Sequence, residues 1–272
     1  MPATAFTDPD LVHTLYARAE RLAQRTRALH AAKISGEDAT ATIVNLAARS
    51  APTAPVVCDI GCGRGTTTLA LARRLTPSRL VALDQSPALL GVVRDRLAQA
   101  NRSVETVCAD FHQLPWHEAS VDVAVAAFCL YHCPHPEQVA AEIARCLTPA
   151  GAAVLVTKSA DSYHEIDQLI AETGLDPRAG TRQSLYDNFH SDTASEIAAT
   201  ALRIEKVVHQ RHVFRFDGLD HLAAYVATSP QYQLAEHLTG EAAQIAEELR
   251  SRIADRPVTA TSTVTYVVAA RS

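Results

Sequence analysis

The segment Val57-Cys58-Asp59-Ile60-Gly61-Cys62-Gly63-Arg64-Gly65-Thr66-Thr67 places three glycines at alternate positions between an apolar run and a helix-forming one. Glycines at this spacing let the backbone turn sharply and approach a ligand closely, and the following helix presents free N–H groups. Alone, the pattern fits a plain turn or a dinucleotide loop as well as any other nucleotide grip. Two further acids sharpen it. Asp84 ends the next apolar run about 20 residues on, where a carboxylate can accept from both hydroxyls of a ribose. Asp110 ends the third, where it can accept from an adenine amino group while Phe111 packs on the ring.

Other residues invite chemistry less firmly. Cys129-Leu130-Tyr131-His132-Cys133-Pro134-His135 packs two thiols and two imidazoles into seven residues, yet the spacing matches no standard zinc site and no metal is expected. His132 follows the fourth apolar run and is the candidate general base. His190, in a polar and aromatic loop, and Tyr16, Tyr225 and Tyr232, each a ring with one orienting hydroxyl, are candidates to line a substrate pocket, with ordinary packing as the alternative.

These residues need a scaffold. Five short apolar runs near 56–60, 80–84, 104–108, 121–126 and 152–157 alternate with helical patterns at 66–75, 87–100 and 137–147. Near-continuous apolar strands joined by helices imply an α/β fold, a doubly wound parallel sheet covered on both faces. Two amphipathic helices precede it, within 8–32 and before the Pro52/Pro55 break. Helical patterns follow near 161–174 and 191–200, with strands near 202–216 and 261–271. The expected organisation is an N-terminal helical cap over 1–50, a core over 51–216, a helical lid insertion over 217–258 and a last core strand over 259–272.

The 272-residue chain carries a formal charge of −5 with its 25 basic residues scattered, so it lacks the basic face that phosphate neutralisation requires, and nucleic acid is not an expected partner. No apolar stretch approaches the roughly 20 residues that span a bilayer, and the N-terminus has no signal-like core, so the expectation is a cytoplasmic protein without a membrane partner. Six cysteines without CxxC spacing read as reduced core residues.

Residues 56–158 resemble the class I S-adenosylmethionine-dependent methyltransferases, in the small-molecule branch with the ubiquinone/menaquinone-type core. The resemblance rests on Asp59-Ile60-Gly61-Cys62-Gly63-Arg64-Gly65, Asp84, Ala109-Asp110-Phe111, Leu114-Pro115-Trp116, Val121-Asp122-Val123-Ala124-Val125, Leu130-Tyr131-His132-Cys133-Pro134-His135-Pro136-Glu137 and Leu147-Thr148-Pro149-Ala150-Gly151, in that order. It implies a Rossmann-like seven-stranded sheet in the order 3-2-1-4-5-7-6 with an antiparallel last strand. It implies a cofactor, S-adenosylmethionine, with S-adenosylhomocysteine as product. Asp59, Gly61, Cys62, Gly63 and Gly65 would hold its methionine part, Asp84 and Gln85 the ribose, Asp110 and Phe111 the adenine, and Phe128 would pass under the sulfonium. The implied activity is methyl transfer to a small-molecule substrate in specialised-metabolite biosynthesis, by a monomer or homodimer. The alternatives are a cyclase or lyase using the same cofactor, or an inactive cofactor-binding regulator.

Overall fold

The computed structural model describes residues 19–272. Its strands and helices, in chain order, are α1 (Ala19–Ala32), β1 (Lys33–Ser35), α2 (Ala39–Ser50), β2 (Val56–Ile60), α3 (Thr66–Leu75), β3 (Arg79–Asp84), α4 (Pro87–Gln99), β4 (Glu105–Cys108), β5 (Val121–Ala127), α5 (Pro136–Cys146), β6 (Leu147–Lys158), α6 (His164–Glu172), α7 (Ala194–Ala199), β7 (Leu202–Phe216), α8 (Leu219–Val226), α9 (Ala242–Arg250) and β8 (Val258–Arg271).

The strand order is β1-β7-β8-β6-β5-β2-β3-β4. Seven of these strands follow the expected order, and the fold is the α/β class anticipated. The count is corrected from seven to eight, because β1 pairs antiparallel with the far end of β7, Lys33 opposite Phe214. Three residues are too few to show alternation, which is why the sequence reads there only as the end of a helix. Strand β2 pairs in parallel with β3 and β5, and β8 runs antiparallel to β6. Parallel strands buried on both faces explain the unbroken apolar runs: Val123, Ala124, Val125 and Ala126 of β5 are all buried.

The chain divides into two compact units. One comprises Glu37–Ser159, Tyr186–His209 and Val264–Ser272, and the other comprises residues up to Gly36, Ala160–Leu185 and Gln210–Thr263. These boundaries differ from those expected. Helix α2 belongs with the sheet unit, where Ile43, Val44, Leu46 and Ala47 join the cluster of Val57, Leu71, Val93, Val125 and Tyr266. Helix α6 belongs with the second unit, where Ile166 and Ile170 join Phe216, Leu222, Ile245 and Leu249. The 217–258 segment does not stand alone: α8 buries Leu219, Leu222, Ala223 and Val226 at helical spacing in that same cluster. Among the described residues, no helix is long and apolar enough to cross a membrane.

Candidate functional site

The glycine turn joins β2 to α3 in the sheet unit. Gly61, Gly63 and Gly65 have φ of 63°, 53° and 74°, the left-handed region in which a Cβ is costly. At Gly61 space forbids it too: a Cβ would lie 2.5 Å from the Cys129 Cβ. Gly65 is the N-cap of α3 and offers no side-chain cap, so other groups must satisfy the first-turn N–H donors.

One such group is Asp59. Its side chain is buried and its Oδ2 accepts the Thr68 hydroxyl at 2.5 Å. The Thr68 backbone N–H also bonds the carboxylate, so Asp59 acts as a cap on α3 supplied from the neighbouring strand. Burial pushes its carboxyl up to about 7; the Thr68 bonds oppose that rise and nearby Asp84 adds to it. Thr68 lies nine residues beyond Asp59, and nothing in the sequence announces the pairing.

Asp84, at the end of β3, ties two turns together. Its Oδ2 accepts the N–H of Gly63 at 2.9 Å and its Oδ1 the N–H of Ser86 at 2.9 Å. Burial raises its pKa, and these backbone bonds hold the rise down. The Gln85 backbone N–H bonds the carboxylate as well, so three of its roughly four acceptor sites are engaged and one is left for a further donor. Ser86 then caps α4 by accepting the Leu89 N–H at 3.3 Å, with Pro87 at the first helical position. Cys62 is buried and its N–H bonds Leu83 O at 2.9 Å, whereas Gln85 is exposed.

After β4, Asp110 Oδ1 accepts the His112 N–H at 2.9 Å and lies 2.5 Å from His112 Nδ1. His112 Nε2 is 2.8 Å from Cys133 Sγ. The half-buried Phe111 lies beside the His112 ring, centroids 5.2 Å apart. The loop continues into a clamp: Arg145 on α5 donates to Trp116 O at 2.8 Å and Leu114 O at 3.0 Å, while Glu142 accepts the Leu114 N–H at 2.9 Å.

After β5, Phe128 has φ 59°, a strained value for a residue with a branched ring side chain, and its N–H is anchored to Val156 O at 2.9 Å. Lys158, which the sequence reading passed over, places its ammonium 5.8 Å from the Phe128 ring and 5.6 Å from the Tyr186 ring. His132 follows in a short 3₁₀ turn over Leu130–His132, half-buried, its ring 4.7 Å from that of Tyr131. Among the described residues no group of three or more His, Cys, Asp or Glu is placed to hold a metal.

Thus Asp84, the glycines, Asp110, Phe111, Phe128 and His132 all sit at the C-terminal ends of β2 to β5, where open α/β sheets bind ligands. The other candidate residues lie elsewhere in the chain. His190 sits in the turn before α7, its carbonyl accepting the Ala194 N–H at 2.8 Å. Tyr225 and Tyr232 are buried in the second unit, Tyr225 beside Tyr163 and Phe216, and Tyr232 donating to Asp167 Oδ1 at 2.9 Å. Tyr16 lies outside the described residues.

Residues 58–155 match the family model described as a methyltransferase domain. The chain is 30% identical over 156 residues to a malonyl-[acyl-carrier protein] O-methyltransferase of Marinomonas sp. (strain MWYL1), covering 57% of each chain. It thus spans little more than half the length of that relative. Among solved structures it resembles the [4+2]-cyclase SpnF, at TM-score 0.59 and 15% identity over 98% of this chain and 97% of that one. It also resembles the geranyl diphosphate C-methyltransferase from Streptomyces coelicolor A3(2), solved with Mg2+, geranyl diphosphate and S-adenosyl-L-homocysteine, at TM-score 0.52 and 15% identity over 98% and 87%. At such identities these structures speak for the fold.

Proposed function

We propose that the protein is an enzyme that transfers a methyl group from S-adenosylmethionine to a small-molecule acceptor, in specialised-metabolite biosynthesis, a reading supported by the match of residues 58–155 to a methyltransferase domain. The observation that carries the reading is the Asp84 carboxylate at the end of β3, fixed by the backbone N–H groups of Gly63, Ser86 and Gln85. That is an acceptor preorganised for a ribose hydroxyl beside a turn that calls for glycine.

When bound, S-adenosylmethionine supplies an electrophilic methyl on a sulfonium that is already a good leaving group. The protein's share is then orientation and exclusion of water. The glycine turn admits the amino-acid part close to the backbone, Asp84 holds the ribose, and Asp110 and Phe111 hold the adenine. Asp59 serves by bracing α3 rather than by contact. Phe128, held in its strained turn, shapes the floor near the reacting methyl, and His132 takes a proton where the acceptor is a hydroxyl, an ammonium or an acidic carbon.

A second reading has its own support. The name of the Marinomonas relative points to a malonyl thioester on a carrier protein as acceptor, which would make the acceptor a carboxylate needing no base.

Calorimetry with S-adenosylmethionine, S-adenosylhomocysteine and NAD tests the cofactor directly. Micromolar binding of the first two, weakened at least about tenfold in Asp84→Ala by loss of hydrogen bonds to a charged group and absent for NAD, supports the reading. Binding of NAD, or of none of the three, overturns it. Release of S-adenosylhomocysteine during turnover then separates methyl transfer from cyclase or lyase chemistry, in which the cofactor stays intact or yields another product.

A further inference from the structure

We propose that His112 and Cys133 are positioning residues that aim Asp110 at the base of the bound nucleoside, so that discrimination of adenine rests on a hydrogen-bonded chain of three side chains. The inference builds on the cofactor reading above and goes beyond it, since neither His112 nor Cys133 has a role there.

The direction of each bond in the chain follows from the ends. Cys133 is fully buried, and burial pushes its thiol up to about 12, so it carries its proton at neutral pH. Its sulfur already accepts the His135 backbone N–H at 3.3 Å. The S–H therefore has one partner to donate to, His112 Nε2 at 2.8 Å. With Nε2 an acceptor, the neutral ring carries its proton on Nδ1, which faces Asp110 Oδ1 at 2.5 Å. The His112 backbone N–H donates to the same oxygen at 2.9 Å. Oδ1 is thereby saturated, and Oδ2, on a side chain 69% exposed, is left to receive an outside donor. Without the chain an exposed aspartate on a turn would sample several rotamers. With it the second oxygen is presented in one direction.

Two other uses of a Cys-His-Asp chain are ruled out by the same facts. A buried, protonated thiol is no nucleophile, and no metal-binding group of three is formed among the described residues. The chain links the turn after β4 to the segment after β5, two strands that stand apart in the sheet with β2 and β3 between them.

The test compares S-adenosylhomocysteine with S-inosylhomocysteine, whose purine carries an oxo group in place of the amino donor, by calorimetry on the full chain. The wild type should prefer the adenosyl ligand by about tenfold to a hundredfold, the ratio that one hydrogen bond to a charged acceptor sustains. His112→Phe, which keeps a ring beside Phe111, should collapse that ratio to within about threefold while leaving S-inosylhomocysteine affinity unchanged. Cys133→Ala should lower the ratio, and Cys133→Ser, which restores a donor, should recover it. A merely structural role would weaken both ligands alike. If His112→Phe and Cys133→Ala retain the wild-type ratio while Asp110→Ala loses it, the chain does not position Asp110 and the proposal falls. If the wild type binds neither ligand, the cofactor reading fails and the proposal with it.

Discussion

Asp59 offers a quantitative check on the site's electrostatics. Its carboxyl is 1% exposed and raised from 3.8 to about 7, with burial the leading cause. The sign follows from proton counts. Between these two values the folded state holds the Asp59 proton and the unfolded chain has lost it, so stability from this group falls as pH rises. Asp59→Asn removes the titration yet keeps an acceptor for Thr68. Integrating the linkage with these two pKa values, the wild type should lose about 2 to 3 kcal/mol relative to the variant between pH 5 and pH 8. Above pH 8 the difference should level off. The assay is urea unfolding followed by fluorescence of Trp116, the sole tryptophan, which is buried in the same unit as Asp59. A difference between wild type and variant that stays constant from pH 5 to pH 8 would refute the reasoning: Asp59 would then be ionised in the fold, with the α3 N-terminus outweighing burial.

Three further outcomes are expected. Gly61→Ala combines a left-handed backbone with a Cβ 2.5 Å from that of Cys129, so it should cost about 3 kcal/mol or more and abolish cofactor binding. Gly240→Ala, at φ 84° but with nothing within 4 Å of the added carbon, should cost only about 1 kcal/mol and leave binding intact; equal effects on urea midpoints would discount the steric argument. In the second unit, Arg182 pairs with the buried Asp176 at 2.7 Å and donates to Gln231 O at 2.6 Å. Arg182→Ala removes the counter-charge of that carboxylate, leaving it the Gln233 and Arg178 backbone N–H groups, and should destabilise the second unit by about 3 kcal/mol, read as faster amide exchange over 160–185 with exchange over the sheet unit unchanged.

Much of the candidate site's framework was legible because its signals are local. A left-handed turn demands glycine at particular positions, an apolar strand buried on both faces demands an unbroken apolar run, and an acid at a strand end stands out against that run. Gly61, Gly63, Gly65, Asp84 and Asp110 announce themselves this way, as do β2 to β6 and the order of the seven main strands by resemblance.

What the sequence left open concerns direction and distance along the chain. Asp59 stands two residues before Gly61 in a pattern that suggests a ligand, but only the packing of α3 on β2 turns its carboxylate inward to Thr68. The His112–Cys133 contact joins residues 21 apart, and β1 meets β7 across some 180 residues. Burial of Tyr225 and Tyr232 in the second unit, and the assignment of α2 and α6 to different units from those expected, likewise depend on which apolar faces find each other. Residue type and periodicity state that a face must be covered. They carry no record of the partner that covers it, because the hydrophobic effect is non-directional, and the partner is selected only when the whole chain has packed.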